Sequence, residues 1–382
     1  MKSATPTTRS YASMLTIPLA AGILIFPLAG VEKAVHLAGV VFACMLAWRF
    51  SRSAATSRRA AAFSPRLHLT EAYKSRLQSI KTSPFFAVLL VSLLLLSPLF
   101  FNDYYRDIMT LTCMYIVLAL GLNIIVGQAG LLNLGYAAFY AVGAYVYAIL
   151  STLFGLSFWL GLAAGSAGAA CFALLVGIPT LRLRGDYFAI VTLGLGEIIR
   201  IVLNNWDSLT GGPNGISRIG RPVLAGYELR RPLDFYYLIL AITLITLFAM
   251  KRLAESRIGR AWIAIREDEV AAEAMGINTF RLKLSAFVIG SAWAGLTGVF
   301  FAAKMAFVSP ESFTFLESVL ILCMVVLGGM GSIPGIVLGA LLLVTLPEVF
   351  RDFQDYRMLA FGAALVLMMV FRPQGLLGRT DK

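Results

Sequence analysis

Charge is what this 382-residue sequence has least of: Asp, Glu, Lys and Arg make up 14% of it, where a soluble domain carries roughly a quarter. Hydrophobic residues reach 59% and the mean hydropathy is +0.82, which excludes an ordinary soluble enzyme and points to a polytopic membrane protein. Cysteine is also scarce. Cys44, Cys113, Cys171 and Cys323 all fall inside apolar runs without CxxC spacing, so a disulfide framework is not expected. His36 and His68, the only histidines, lie far from any Cys or carboxylate cluster, which leaves no basis for a zinc site. The chain has no Gly-Lys dipeptide and therefore no G-x-x-x-x-G-K-S/T loop to cradle ATP phosphates. Paired carboxylates, His clusters or an activated Ser at useful spacing are missing from the apolar runs, which argues against a membrane-embedded enzyme.

What the sequence does have is a succession of apolar runs approaching the ~20 residues that span a hydrocarbon core. They are expected near Met14–Val31, Ala34–Trp48, Phe85–Phe101, Ile108–Val126, Leu134–Leu153, Phe158–Pro179, Tyr187–Leu203, Phe235–Met250, Leu284–Ala303, Phe315–Leu327, Ile333–Val349 and Met358–Phe371. The expected fold is all-α, a polytopic transmembrane helical bundle of about twelve hydrophobic segments, 10–12 of them spanning. A signal peptide fits the first run poorly, because its length and Pro18 and Pro27 do not suit a short apolar h-region.

The net charge of +12 does not call for nucleic acid, because Lys and Arg gather in cytoplasmic loops. With both termini cytoplasmic, roughly 22 of the 32 Lys and Arg residues face the cytoplasm. The two most basic intervals, Arg49–Ser83 and Lys251–Lys283, then lie on that side. Residues 1–84 read as an N-terminal extension with two hydrophobic segments, and 85–382 as the transmembrane domain.

Two regions look broken. In Gly121–Gly135 (GLNIIVGQAGLLNLG), four glycines interrupt an apolar run that carries Asn123, Gln128 and Asn133, with Tyr136 just after it. Such backbone at membrane depth needs protein or a water-filled cavity to satisfy it. Close helix packing through small residues and a pathway-lining element both fit. The second region, Gly328–Gly335 (GGMGSIPG), reads as a tight turn or re-entrant hairpin. Within Tyr187–Leu203, Glu197 and Arg200 share a helix face. They make either an internal ion pair or a substrate or gating contact.

Two polar intervals carry further candidates. The outward loop Asn204–Asp234 holds the turn-forming TGGPNG and a basic set, Arg218, Arg221, Arg230 and Arg231, suited to an acidic docking face or simply to solvent. On the cytoplasmic side, Glu255–Lys283 reads as two short helices. Glu267, Asp268 and Glu269 favour a helix N-terminus, Val270, Ala271, Ala274 and Met275 make an apolar stripe, and Gly276 ends it. A helix that short needs a surface to dock on.

Seven strings in order resemble one family: GLNIIVGQAGLLNLGYAAFYAVGAY, LRLRGDYFAIVTLGLGEIIRI, LTGGPNGIS, IGRAWIAIREDEVAAEAMGI, FVSPESFTF, VVLGGMGSIPG and RPQGLL. They are similar to the permease subunits of ABC importers for branched-chain amino acids, of the LivM type, over about Ile108–Leu377. The resemblance implies import of Leu, Ile and Val across the bacterial inner membrane. Urea and short-chain amide permeases are built on similar sequences, and an ion-coupled secondary transporter is the remaining rival. It implies as partners a homologous second permease of the LivH type, two cytoplasmic ATPase subunits that hold ATP and Mg, a soluble substrate-binding protein and the lipid bilayer, with no cofactor in this chain. The segment within 251–283 that carries Gly259, Arg260, Arg266, Glu267, Asp268, Glu269, Glu273 and Gly276 matches the family's ATPase-coupling loop.

Overall fold

The computed structural model describes residues 101–349, apart from 184 and 225, together with Pro98, Gly362, Gly375 and Leu376. The segments expected at Met14–Val31, Ala34–Trp48 and Met358–Phe371, nearly all of Phe85–Phe101, the basic interval Arg49–Ser83 and both termini lie outside the described residues. The fold below is that of the compact unit comprising residues 97–345 and 361–382.

Ten helices carry the architecture: α1 (Asp103–Asn123), α2 (Tyr136–Phe154), α3 (Phe158–Thr180), α4 (Asp186–Asn205), α5 (Pro232–Glu255), α6 (Arg257–Glu267), α7 (Glu269–Ala274), α8 (Thr279–Met305), α9 (Phe315–Gly328) and α10 (Ile333–Val349). Among the described residues, seven helical stretches are long and apolar enough to cross a membrane, and Ile333–Thr345 is a shorter apolar helix. This is a polytopic helical membrane protein. Its only strands among the described residues are two-residue pieces: β1 (Ile216–Ser217) pairs antiparallel with β4 (Phe307–Val308), and β2 (Val223–Leu224) with β3 (Tyr227–Glu228).

Each expected apolar run from Ile108 to Val349 is a helix, with boundaries moved by a few residues. The largest change is at the polar interval 251–283, which shrinks because α5 continues to Glu255 and α8 begins at Thr279. The helices claim these ends because Ser256 and Asn278, with their short polar side chains, cap α6 and α8 by accepting from the backbone N–H groups of Gly259 (3.1 Å) and Arg281 (3.0 Å).

The core is built around α1 and α8. Val117, Leu118, Ala119 and Leu120 of α1 have no exposed surface, nor do Phe287, Ala294 and Phe300 of α8. Helix α8 packs against α2 and α3 through glycine. A Cβ on Gly143 would collide with the backbone of Gly295, and one on Gly295 would meet the Ala169 Cβ and the Gly165 carbonyl. Without side chains at these positions the helix backbones approach closely, the arrangement that drives helix association where no water is available to do it. By contrast α4 presents Tyr187, Ile190, Ile198, Ile201 and Val202 outward, an apolar face suited to lipid or to another chain.

Two elements start in the interior of the bundle. Helix α1 continues through a π-helical turn, Ile124–Gln128, and irregular backbone then leads to α2. The α2 start is held there by the Tyr136 hydroxyl donating to the Gly290 carbonyl (2.9 Å), a point ~16 Å along α8. On the other side α8 ends at Ala306, with φ +53°, and the chain returns inward through β4 and a 3-10 turn, Pro310–Phe313, before α9 begins. This return explains why α9 is short. It starts inside the bundle, where the Ala137 N–H at the head of α2 donates to Ser318 Oγ (2.9 Å). The Gly328–Gly335 region is a tight turn, one of the two forms expected from the sequence: Gly328 and Gly335 pack backbone to backbone where α9 turns into α10.

Candidate functional site

The site is a column that runs from α6 and α7 at one end of the bundle, through the two breaks, to a cleft at the other end.

Helix α6 is anchored by its apolar face. Trp262 is fully buried and its indole N–H donates to the Leu282 carbonyl (2.8 Å), and Ile265 is 4% exposed. Gly259 fits against the Leu253 and Ala254 carbonyls where α5 turns into α6. Arg260 donates to the Glu255 carbonyl (2.6 Å). Arg266 reaches back into the bundle and donates to the Gly127 carbonyl of the π-helical turn (2.5 Å), beside Gly331. That carbonyl is one of those a helix end leaves without an intrahelical partner. Asn123 completes the junction by accepting from the Gly331 N–H (2.8 Å). One arginine and one asparagine thus tie α6, the broken end of α1 and the α9–α10 turn together.

The acidic residues of this end divide by role. Asp268 caps α7, accepting from the Ala271 N–H (3.0 Å). Glu269 pairs with Lys283 (2.5 Å) and Glu273 accepts from the Thr279 hydroxyl (2.6 Å), which fastens α7 to the first turn of α8. Glu267 is exposed. Only Ala272 of α7 is buried, and α7 ends before Gly276, at φ +82°. Val270 and Met275 are 75% and 83% exposed, so the apolar stripe lies open in this chain.

The pathway candidates take different places. Gln128 and Asn133 sit in the first break, each at most 3% exposed, and Gln128 Oε1 and Asn133 Nδ2 have no hydrogen-bond partner among the described residues. Buried amides left in this way call for a water or another polar group. Asn133 Oδ1 accepts from the Gly135 N–H (2.9 Å). Tyr136 is fully buried and serves the α2–α8 contact described above. Glu197 lies apart from this column on α4, paired with Arg200 at 3.0 Å, both side chains about one-third exposed.

The basic set of the opposite loop is also split. Arg218 is exposed, at φ +60°, and the Arg231 N–H donates to Asp234 (3.2 Å) at the head of α5. Arg221 and Arg230 line a cleft of about 460 Å³ together with Asp107, Lys304, Ile108 and Leu111. Lys304 pairs with Asp107 (3.1 Å) and Arg230 with Glu228 (2.6 Å). The hydrogen bond from Arg230, helped by its charge and that of Arg221, holds the Glu228 carboxyl below its ordinary value.

One residue of this column was not anticipated from the sequence. Glu317, in the first turn of α9, accepts from the Tyr115 hydroxyl of α1 (2.9 Å), and among the described residues no Lys or Arg pairs with it. The signal available was a carboxylate only a few residues into the apolar run that follows FVSPESFTF.

Residues 104–371 match the family model described as "Branched-chain amino acid transport system / permease component". The chain belongs to this family. Among its relatives, the high-affinity branched-chain amino acid transport system permease protein LivM of Escherichia coli K12 is 50% identical over 72% of this chain and 70% of that protein. LivH of the same strain is 29% identical over 74% of this chain and 97% of its own length. The family and these relatives are described as transport permease components. Of solved structures, PsaBC from Streptococcus pneumoniae in complex with Fab aligns with a TM-score of 0.39 and 17% identity, covering 70% of this chain and 91% of that one.

Proposed function

We propose that the chain is the transmembrane permease subunit of an ATP-driven, binding-protein-dependent importer of Leu, Ile and Val in the bacterial inner membrane. The observation that carries this reading is the 50% identity to LivM across 297 residues. The more distant likeness to LivH supports pairing with a homologous second permease. Two cytoplasmic ATPases supply the nucleotide site, with its ATP and Mg, that this chain lacks, and a soluble binding protein delivers the amino acid. In this reading residues 85–382 form the permease domain, preceded by an extension, and the bundle of about twelve segments has both termini in the cytoplasm. The α6–α7 end then faces the cytoplasm and the cleft lined by Arg221 and Arg230 faces outward, where these arginines, with Arg218 and Arg231, offer positive charge to an acidic docking face.

The proposed mechanism begins at α6 and α7. The open Val270–Met275 stripe docks in a groove of an ATPase, with Arg260, Glu267 and Gly276 completing that surface and the buried Gly259 letting α6 close against α5 behind it. Closure of the ATPases shifts α6. Because Arg266 holds the Gly127 carbonyl and Asn123 holds Gly331, movement of α6 is passed directly to both interior helix ends. Gln128 and Asn133 then face polar partners in one state and not in the other, which supplies the differential contact that any such shift needs. Tyr136 serves this pathway by holding the start of α2 against α8, while Glu197, paired with Arg200 on α4, stands outside it.

The test is leucine uptake into vesicles that contain this chain, its second permease, the ATPases and the binding protein. Uptake that requires both ATP and binding protein is the expected result. ATP-independent uptake by this chain alone would replace the importer with a secondary carrier.

A further inference from the structure

We propose that Glu317 is the counter-charge that receives the α-ammonium group of the amino acid midway through the bundle. The inference rests on the importer reading and adds a residue that touches the substrate.

Three observations carry it. First, a carboxylate at this depth is costly unless a cation or strong donors meet it, and among the described residues Glu317 has a single hydrogen-bond partner, the Tyr115 hydroxyl at 2.9 Å, and no cationic side chain. The head of α9 favours negative charge there, but a helix dipole leaves a carboxylate with capacity for further donors. An ammonium group supplies both the donors and the opposite charge.

Second, the position is where the chain opens its backbone. Both α2 and α9 begin there, joined by the bond from Ala137 N–H to Ser318 Oγ. Helix N-termini in a bundle interior are a setting for anionic groups, which suits the carboxylate of a zwitterion whose ammonium is held by Glu317. Close by, Tyr140 and Tyr145 stack against Phe313 at 5.0 and 6.2 Å between ring centroids. The Tyr145 hydroxyl is buried without a hydrogen-bond partner among the described residues. Aromatic walls, one hydroxyl without a partner and one carboxylate without a cation among the described residues make a surface for a small zwitterion with an apolar side chain.

Third, the residue that holds Glu317 lies on the face of α1 that lines the cleft. Tyr104, Ile108 and Leu111 line the cleft, and Tyr115 continues the same face of α1 at helical spacing, ~6 Å deeper than Leu111. Tyr115, whose hydroxyl holds Glu317, thus follows one turn after a residue of the cleft lining.

The experiment uses the complete importer in vesicles and measures leucine uptake and binding-protein-stimulated ATP hydrolysis together, for wild type, Glu317→Gln, Glu317→Asp and Tyr115→Phe. Glu317→Gln keeps the size and the bond from Tyr115 but removes the charge. The expected result is about a tenfold or greater fall in leucine moved per ATP hydrolysed, with stimulated hydrolysis retained, partial recovery in Glu317→Asp and an intermediate loss in Tyr115→Phe. Uptake and hydrolysis that fall in parallel, or uptake in Glu317→Gln equal to wild type, would overturn the assignment. If Glu317→Gln does not assemble, Tyr115→Phe decides: unchanged leucine per ATP in that variant overturns the proposal. Wild-type vesicles that take up no leucine would instead count against the importer reading itself.

Discussion

The two breaks in this bundle are built from opposite chemistry. The first, residues 124–135, is lined by neutral amides and held from outside by Arg266, which belongs to α6. The second, residues 306–317, is lined by aromatic rings and carries two carboxylates, Glu311 exposed and Glu317 turned to α1, with its hydrogen bonds made to α1 and α2. Irregular backbone in a membrane has to be satisfied by the protein around it, and the two breaks meet that demand in ways that separate their uses. A break tied to a peripheral helix follows that helix when it moves. A break tied to the core and bearing a carboxylate, Glu317, with no cationic partner among the described residues is suited to meeting a ligand.

Substitutions can break or sharpen this contrast. The largest expected effect on the chain itself is at Trp262, which anchors α6 while fully buried. Trp262→Ala should cost about 3–5 kcal/mol, seen as a lower thermal midpoint in detergent and as early proteolysis within 256–278. An unchanged midpoint would mean that α6 is not held as described, and the first break would lose its lever. Next is Asn123→Ala, which leaves the Gly331 N–H without its acceptor and should cost about 1–3 kcal/mol. Asn123→Asp keeps an acceptor and should cost less. Equal losses in the two variants would show that packing, and not the hydrogen bond, joins α1 to the α9–α10 turn. Glu197→Gln comes third. Its pair with Arg200 is partly exposed and lies on α4, outside both breaks, so stability should move by no more than about 1 kcal/mol and uptake should stay near wild type. A marked change in the pH profile of uptake would bring Glu197 into the pathway after all. The smallest effect on the chain alone is expected from Val270→Asp combined with Met275→Asp. Both side chains are exposed and should be worth less than about 0.5 kcal/mol, while co-purification of the ATPases should fall sharply. Undiminished co-purification would place ATPase docking elsewhere.

Much of the helix framework was legible in the sequence because long apolar runs leave few alternatives to a spanning helix. Asp268 and Gly276 were legible as local signals, one at a helix start and the other at a helix end. The links that matter most for function were not. Arg266 and Gly127 are 139 residues apart, Tyr115 and Glu317 are 202 apart, and no periodicity connects them. Glu317 drew no notice in the sequence, where it opens a short apolar run, and its place inside the bundle shows only because the chain turns back inward after Met305. Glu197 drew attention by sitting inside an apolar run, but its arginine three residues away already accounts for it. The four basic residues of the outward loop looked like one set, while the fold sends Arg221 and Arg230 into the cleft and gives Arg231 a place at the head of α5.

The central claim is that motion of α6 reaches the interior through Arg266 and the Gly127 carbonyl, and the most direct test is Arg266→Ala in the assembled importer. Leucine uptake and binding-protein-stimulated ATP hydrolysis would be measured on the same vesicles. Hydrolysis that continues while uptake falls about tenfold or more, the size expected from losing a charge-assisted hydrogen bond of about 1.5–3 kcal/mol, is the predicted result. Uptake and hydrolysis both equal to wild type would contradict it.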